Sequence, residues 1–484
     1  MSRQVDRREF LQITAASGMM YLAGSGLFST TARAKGSPLI SPGCRTSKVQ
    51  VARIYMGIEG AHWPKPTLNL KEEIRTYEAQ FARLADQLGD VEFIVDELVT
   101  SPDQVGRLKG RLESVDGILA IHLSMGASSI LREILSVGKP TALFALPYSG
   151  HEWTSFGGLQ RQPIGAKMEC FLTADYTQLA TALRPFRAIH HAREAKVLNV
   201  TTRVFKPYAD SVKAKFGTEI KQVDLQTVMD AYKAVDDKLA DAETQRWLDG
   251  AQAVVEPSRG DIWKSCKLAL AFENMLAAEN ATVLTVDCYG TMWDKTIKLP
   301  AYPCIGFCRL NDMGLGGICE SDLQSAMTHI ILQGLTGRPG FISDPTVDES
   351  CNGIILAHCL GSTRMDGPNG PAAPYKIRTV MERQEGVTPQ VEMRIGQKVT
   401  QAILIGTDSL LYFTGDIIAA PVSLADDRGC RTKITVRVDG DVTRLWRNWS
   451  NGLHRQTVYG DITKELAQFC RYKEIKMTDE TAKA

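Results

Sequence analysis

From residue 48 to about 180 the chain alternates short apolar runs with segments whose apolar residues recur every three or four positions. VQVARIYMG, VEFIVDELV, DGILAIHLS and PTALFALPYSG read as strands. LKEEIRTYEAQFARLADQL, VGRLKGRLESV and SSILREILSVG read as the helices between them. Strands alternating with helices predict βαβ units and a parallel sheet. A second alternation begins at AKVLNVT. Its helices are PYADSVKAKFG, the long charged QTVMDAYKAVDDKLADAETQRWL, and SRGDIWKSCKLALAFENMLAAENA, which Ser258 opens. TVLTVDCYG follows as a buried strand.

The pattern changes near residue 345. VEMRIG, VTQAILIG, LLYFTGDIIAAP and TKITVRVDG are strand-like runs parted by turn residues, and no long helix is evident before ITKELAQFCRYK. The predicted fold is α/β: two Rossmann-like parallel-sheet domains followed by a β-rich, barrel-like C-terminal domain. The expected divisions are an N-terminal α/β domain over 45–185, a central α/β domain over 186–343 and the β-rich domain over 344–478.

The first 34 residues have another character. DRREFLQ carries Arg7 and Arg8, the apolar ITAASGMMYLAGSGLF follows, and TARA offers Ala32-x-Ala34 before Lys35. Charged head, apolar middle and small-residue cleavage site make a signal peptide, and the paired arginines resemble the twin-arginine export signal. Export to the periplasm is the expectation, with a plain N-terminal helix and a cytoplasmic protein as the alternative. No other stretch approaches 18 consecutive apolar residues.

With 44% hydrophobic and 23% charged residues, the 484-residue chain has ordinary globular composition. A net charge of +1 without long single-sign runs disfavours nucleic acid and anionic membranes as partners. The eleven cysteines cannot all pair and form no CxxC. Most read as buried free thiols, as expected of a protein folded in a reducing compartment before export. Cys304 and Cys308 are left open as a metal clip or a disulfide. Nothing matches a nucleotide fingerprint, since GLGGIC lacks the GxGxxG spacing.

The chemistry concentrates in CESDLQSAMTHIILQGLTGRPGFISDP. Ser321 or Asp322 caps a helix with an apolar stripe, Gly337 and Pro339 end it, and GFISD is a short strand. A helix packed back on its sheet begins at the edge where the following strand ends. Glu320 and Asp344, 24 positions apart, are therefore expected together at the carboxyl edge of a parallel sheet. Two carboxylates in one pocket repel unless a cation lies between them. Taken singly, Glu320 also reads as a helix-dipole partner and Asp344 as a turn former. His358, at the end of GIILAHC, and His454, in WSNGLHRQTVYGD, are the candidate imidazole ligands. Such a donor set suits Mn²⁺, Co²⁺, Fe²⁺ or Mg²⁺. His190-His191 reads as a surface pair and His329 as a packed helix residue.

PCIGFCRLNDMGLGGICESDLQSAMTHIILQGLTGRPGFISD, GIILAHC and NGLHRQTVYGD together resemble the L-fucose isomerase and L-arabinose isomerase superfamily, over about 48–478 of the chain. The resemblance implies a divalent metal, commonly manganese, on Glu320, Asp344 and His454. His358 falls where one branch of the family has a further ligand. It implies aldose–ketose isomerisation of an unphosphorylated monosaccharide through an enediolate, with Glu320 and Asp344 as the acid/base pair. It also implies a homo-oligomer, trimer or hexamer. Trp446, Trp449 and Asn451 precede His454 and are candidate sugar contacts. Trp63, in a loop after the first strand, is a candidate contact at a neighbouring subunit's site. The apparent export signal and the shorter chain depart from the family and leave the sugar open. An exported sugar-binding protein, or an epimerase or lyase on a related sugar, are the competing readings.

Overall fold

A computed structural model describes residues 37–288, 290, 293, 298–422, 428–449 and 452–482. The expected signal peptide at 1–34 and the candidate Asn451 lie outside the described residues.

The first alternation folds into one parallel sheet, β1 (Val49–Met56), β2 (Val91–Val99), β3 (Gly117–His122), β4 (Thr141–Ala145) and β5 (Met168–Leu172), in the order β2-β1-β3-β4-β5. β3 and β4 are buried at every position, the signature of central parallel strands covered on both faces.

The second alternation gives β6 (Lys196–Val200), β7 (Glu219–Val223), a two-residue β8 (Ala253–Val254), β9 (Val283–Val286) and β10 (Gly316–Ile318). All but β8 form a second parallel sheet ordered β10-β9-β6-β7.

The β-rich part contains β11 (Phe341–Asp348), β12 (Gly353–His358), β13 (Tyr375–Val380), β14 (Glu385–Val391), β15 (Lys398–Ile405), β16 (Ser409–Ala419), β17 (Thr432–Val438), β18 (Arg455–Tyr459) and β19 (Lys476–Asp479). Six of them close a barrel in the order β15-β18-β11-β12-β17-β16, because β16 pairs back onto β15, and β19 adds to β16 outside the ring. β13, β14 and β8 make a separate small sheet, so a piece of chain from before the barrel is stitched to it. Two parallel sheets followed by a barrel is the predicted architecture.

The helix of the key stretch, Leu323–Thr336, is buried on nearly every side. Asp322 caps it by accepting from the Gln324 and Ser325 amides, and Gly337 ends it at φ +69°, a left-handed turn that glycine adopts without strain. At Gly334 a Cβ would stand 2.6 Å from the Cα of Ala188, so the Arg184–Glu194 helix approaches backbone to backbone.

Three expectations are refined. Asp344 is not on a strand of the parallel sheet: β11 is a barrel strand, antiparallel to β12 and β18. The local pattern showed a strand but could not show that its partners come from later in the chain. The histidine pair is not on the surface. His190 and His191 are both buried, His190 Nδ1 bonds Asp116 at 2.9 Å, and His191 Nε2 lies 3.0 Å from Ser41 Oγ. All eleven cysteines are free, and Cys304 and Cys308 sit one turn apart in the Cys304–Asp312 helix without a disulfide. His329 is packed in its helix as expected. Among the described residues no helix is long and apolar enough to cross a membrane.

Candidate active site

β10 ends at Ile318, and the chain turns sharply into the helix that Asp322 caps. Glu320 and Ser321 make that turn with φ of +61° and +57°. Left-handed backbone costs a residue with a Cβ roughly 1–2 kcal/mol, so the surroundings must hold it. They do. The Ser321 amide donates to Val286 O at 3.0 Å, the Glu320 amide to Cys288 Sγ at 3.2 Å, Ser321 Oγ bonds Asn199, and Arg203 donates to the Glu320 carbonyl. Arg203 is itself paired with Asp287 at 2.8 Å. This bracing aims the Glu320 side chain away from its own sheet and toward the barrel.

The barrel supplies the other groups. Asp344 comes from β11, His358 from the end of β12, and His454 from the residue before β18. His454 Nε2 stands 3.6 Å from Glu320 Oε2 and 3.3 Å from Asp344 Oδ1. Its other nitrogen, Nδ1, lies 3.2 Å from Asp322 Oδ2. An ionised carboxylate only accepts, so Nδ1 carries a proton toward Asp322, and Nε2 faces the two acids. The His358 ring lies 5.2 Å from that of His454, edge to face. All four predicted side chains, Glu320, Asp344, His358 and His454, thus converge where the carboxyl edge of the second sheet meets the barrel.

Two facts mark the centre of this group as an incomplete polar arrangement. Asp344 Oδ1 and His454 Nε2 are buried and neither makes a hydrogen bond. Buried polar atoms are ordinarily paired, and those that are not point to a function or a missing partner. The electrostatics agree. Burial pushes the Glu320 carboxyl above its ordinary range, with Asp344, Asp322 and Glu382 pushing the same way against the pull of His454. Burial likewise raises Asp344, again opposed by His454. For His454, burial disfavours charge but is outweighed by the Asp322 hydrogen bond and by Glu320 and Asp344, so its pKa rises. Burial, with the nearby His454 charge, drives His358 down to about 3, the neutral form in which imidazole binds metals. Asp322 differs: burial is overcome by the His454 bond and the Ser325 amide, and it is held low.

Two cavities meet at Glu320. The outer cleft has a volume of about 490 Å³ and is lined by Arg203, Tyr208, Gln324 and His454, among others. That is room for a small ligand. The inner cavity, only about 40 Å³, is walled by Asp344, His358, Glu382, Tyr302 and five cysteines: Cys288, Cys304, Cys319, Cys359 and Cys430.

Trp63, Trp446 and Trp449 are not among the described residues lining either cavity. Trp446 Nε1 donates to Glu349 at 2.8 Å, and Trp449 carries the Arg455 guanidinium 3.8 Å over its ring. Trp63 donates to the Tyr148 carbonyl at 2.6 Å and its ring lies against His151, at the edge of the first sheet. Sequence reasoning took Asp322 as a cap alone and missed its hold on His454, although an acid two positions from Glu320 was a signal. The thiols were also missed as site lining, although Cys319 precedes Glu320 and Cys359 follows His358.

No protein-family model matches the chain. In sequence it is similar to proteins named sulfoquinovose isomerase. It is 24% identical over 277 residues to that of Alkalicoccus urumqiensis, across 53% of this chain and 57% of the relative. It is 24% identical over 273 residues to that of Clostridium sp. (strain MSTE9), across 52% and 56%. The chain thus spans little more than half the length of these curated relatives. At a coarse level their names agree with the sugar-isomerase resemblance.

Proposed function

We propose that this chain is a metal-dependent aldose–ketose isomerase acting on an unphosphorylated sugar. The observation that carries the reading is the pair of unbonded buried atoms, Asp344 Oδ1 and His454 Nε2, facing each other and Glu320. Two carboxylates and an imidazole nitrogen fit a divalent cation of the Mn²⁺, Co²⁺, Fe²⁺ or Mg²⁺ class, which would take the place of the Nε2 proton. Glu320, Asp344 and His454 would hold it, with His358 as the further donor. Asp322 fixes the His454 tautomer from behind, as second-layer carboxylates do at metal-bound histidines.

Bound there, the ion would supply Lewis acidity to the sugar's carbonyl and neighbouring hydroxyl. The protein's own part is proton transfer. Glu320 borders both cavities, so its carboxylate is placed to take a proton from C2 of a sugar in the outer cleft. Asp344 or Glu320 returns a proton to C1. A raised carboxyl pKa suits this exchange, because it makes the carboxylate a stronger base toward the C2 proton. Trp446, Trp449 and Asn451, in the segment leading into His454, remain the proposed sugar contacts of the same chain.

The cleft favours an uncharged sugar over a sulfonated one. Among the described lining residues of the two cavities, Arg203 is the only arginine or lysine, and it is paired with Asp287. The oligomer proposal, a trimer or hexamer, is supported by Trp63, Met125, Tyr148 and Trp153, which leave 39%, 47%, 73% and 58% of their surface exposed. In such an assembly Trp63 would serve a neighbouring copy's cleft. Export through the twin-arginine signal completes the reading.

The test uses the mature protein, from Lys35, stripped with chelator and restored with Mn²⁺. A panel of neutral and sulfonated aldoses is followed by NMR in D₂O. Mn²⁺-dependent ketose formation with deuterium at C1 is the expected result. A product epimeric at C2, or a cleaved sugar, would replace the isomerase by an epimerase or lyase. Sugar binding without turnover would make it a binding protein.

A further inference from the structure

The inner cavity holds a second set of donors that the isomerase chemistry does not use. Cys359 follows β12, Glu382 lies in the turn between β13 and β14, and Cys430 precedes β17. Three separate segments thus bring two thiols to one carboxylate. Cys359 Sγ donates to Glu382 Oε2 at 3.1 Å and Cys430 Sγ to Glu382 Oε1 at 3.1 Å. One ligand atom from each of the three lies within 4.8 Å of the others. Cys304, a third thiol, lines the same cavity.

Glu320, Asp344 and His454 offer only oxygen and nitrogen and select hard or borderline ions. The thiol set is soft, and thiolate sulfur selects Zn²⁺ or Cu⁺ over Mn²⁺ and Mg²⁺. We propose that Cys359, Cys430 and Glu382 form a second cation site, for a thiophilic ion of the Zn²⁺ class, beside the carboxylate–histidine centre. On binding, the two thiols release their protons to solvent and sulfur–metal bonds replace the two thiol–carboxylate hydrogen bonds. No electron transfer is involved. Cys304, which lines the same cavity, is a candidate for a fourth ligand, and water is the alternative in a site that stays open. The bound ion ties the ends of β12 and β17 to the β13–β14 turn. Because Cys359 adjoins His358, it also fixes that imidazole at the wall of the inner cavity.

Co²⁺ serves as the probe, added to the full-length mature protein under a phosphine reductant. Glu320, Asp344, His358 and His454 themselves give cobalt no sulfur ligand; Cys319, within reach of Glu320 and His358, is the thiol from which a sulfur-to-cobalt charge-transfer band at that centre would come. The expected result is such a band in wild type, saturating at one equivalent per chain, bleached by Zn²⁺ and untouched by Mn²⁺. Cys430→Ser abolishes it. Glu382→Gln, at an exposed position where folding is safe, weakens Co²⁺ binding at this band at least about tenfold. Glu320→Gln leaves it intact, which separates this site from the isomerase reading. Absence of the band in reduced wild type at excess Co²⁺ overturns the proposal. A band that survives in Cys430→Ser and Cys359→Ser assigns the sulfur to Cys288 and Cys319 and overturns it equally. Loss of the band in a folded Glu320→Gln protein makes the two centres one and also overturns it.

Discussion

At the carboxyl edge of each parallel sheet a buried histidine meets a carboxylate, yet the two edges are built to opposite ends. At the first sheet, β3 ends in His122, whose Nε2 lies 2.8 Å from Glu152 Oε2. Glu152 also accepts from Ser128 Oγ at 2.7 Å and from the Ala127 amide at 3.2 Å. His122 Nδ1 makes no hydrogen bond, but both oxygens of the carboxylate are engaged. Burial would raise Glu152, and the His122 and Ser128 bonds outweigh it, so its pKa falls. At the second sheet Glu320 and Asp344 are raised, and their neighbourhood keeps atoms without partners. A carboxylate held low by donors is structural. Carboxylates pushed up by burial and by neighbouring acids are left without the donors that would hold them low. The difference lies in what faces each edge: a helix N-terminus with its serine at the first, a barrel rim bearing more acid and imidazole at the second.

The comparison is broken most strongly at Glu320. Glu320→Gln keeps the shape and removes the base, and turnover is expected to fall about 10²–10⁴-fold with sugar affinity nearly kept. Initial rates and equilibrium binding of the same sugar check both halves. Normal turnover removes Glu320 from the acid/base role. Next comes Asp322→Asn, which touches no metal yet frees the His454 ring. Mn²⁺ affinity should fall about 10–100-fold, read by titration calorimetry.

The first edge should answer differently. Glu152→Ala strands the His122, Ser128 and Ala127 donors and should cost about 1–3 kcal/mol in denaturant unfolding, with Mn²⁺ affinity unchanged. The pH dependence has a definite sign. Because the folded-state pKa of Glu152 is lowered, its contribution is full above the unfolded value near 4.5 and fades as pH falls through the folded value. Wild type and variant should therefore converge in stability only in acid. The smallest effect is expected of Ser128→Ala, about 0.5–1.5 kcal/mol for one neutral donor, again with no change in metal binding.

Much of this was legible in the chain. Apolar periodicity showed the alternating strands and helices, because helices packed on a covered sheet must repeat their burial locally. The caps at Ser258 and Asp322 and the stop at Gly337 are local devices and read correctly. The four converging side chains were legible because they sit in motif-bearing segments. Partners far along the chain were not. The strand of Asp344 pairs with strands formed by residues 353–358 and 455–459, so no local rule assigned its sheet. His190 looked exposed in a charged helix, but Asp116 and Ser47, from distant segments, bond its ring and let it be buried. The thiols converge for the same reason. Cys359 and Cys430 stand 71 positions apart, and only β12 pairing with β17 brings them to one wall.

The central claim is that Glu320, Asp344 and His454 together hold one hard divalent cation. The direct measurement is the electron paramagnetic resonance titration of chelator-stripped mature protein with Mn²⁺, wild type beside His454→Ala. The account predicts one bound Mn²⁺ per chain in wild type, with the free-ion signal suppressed until that equivalent is filled, and loss of this binding in a folded His454→Ala protein. A free-ion signal that grows from the first addition to wild type, or a variant that binds as tightly as wild type, would contradict it.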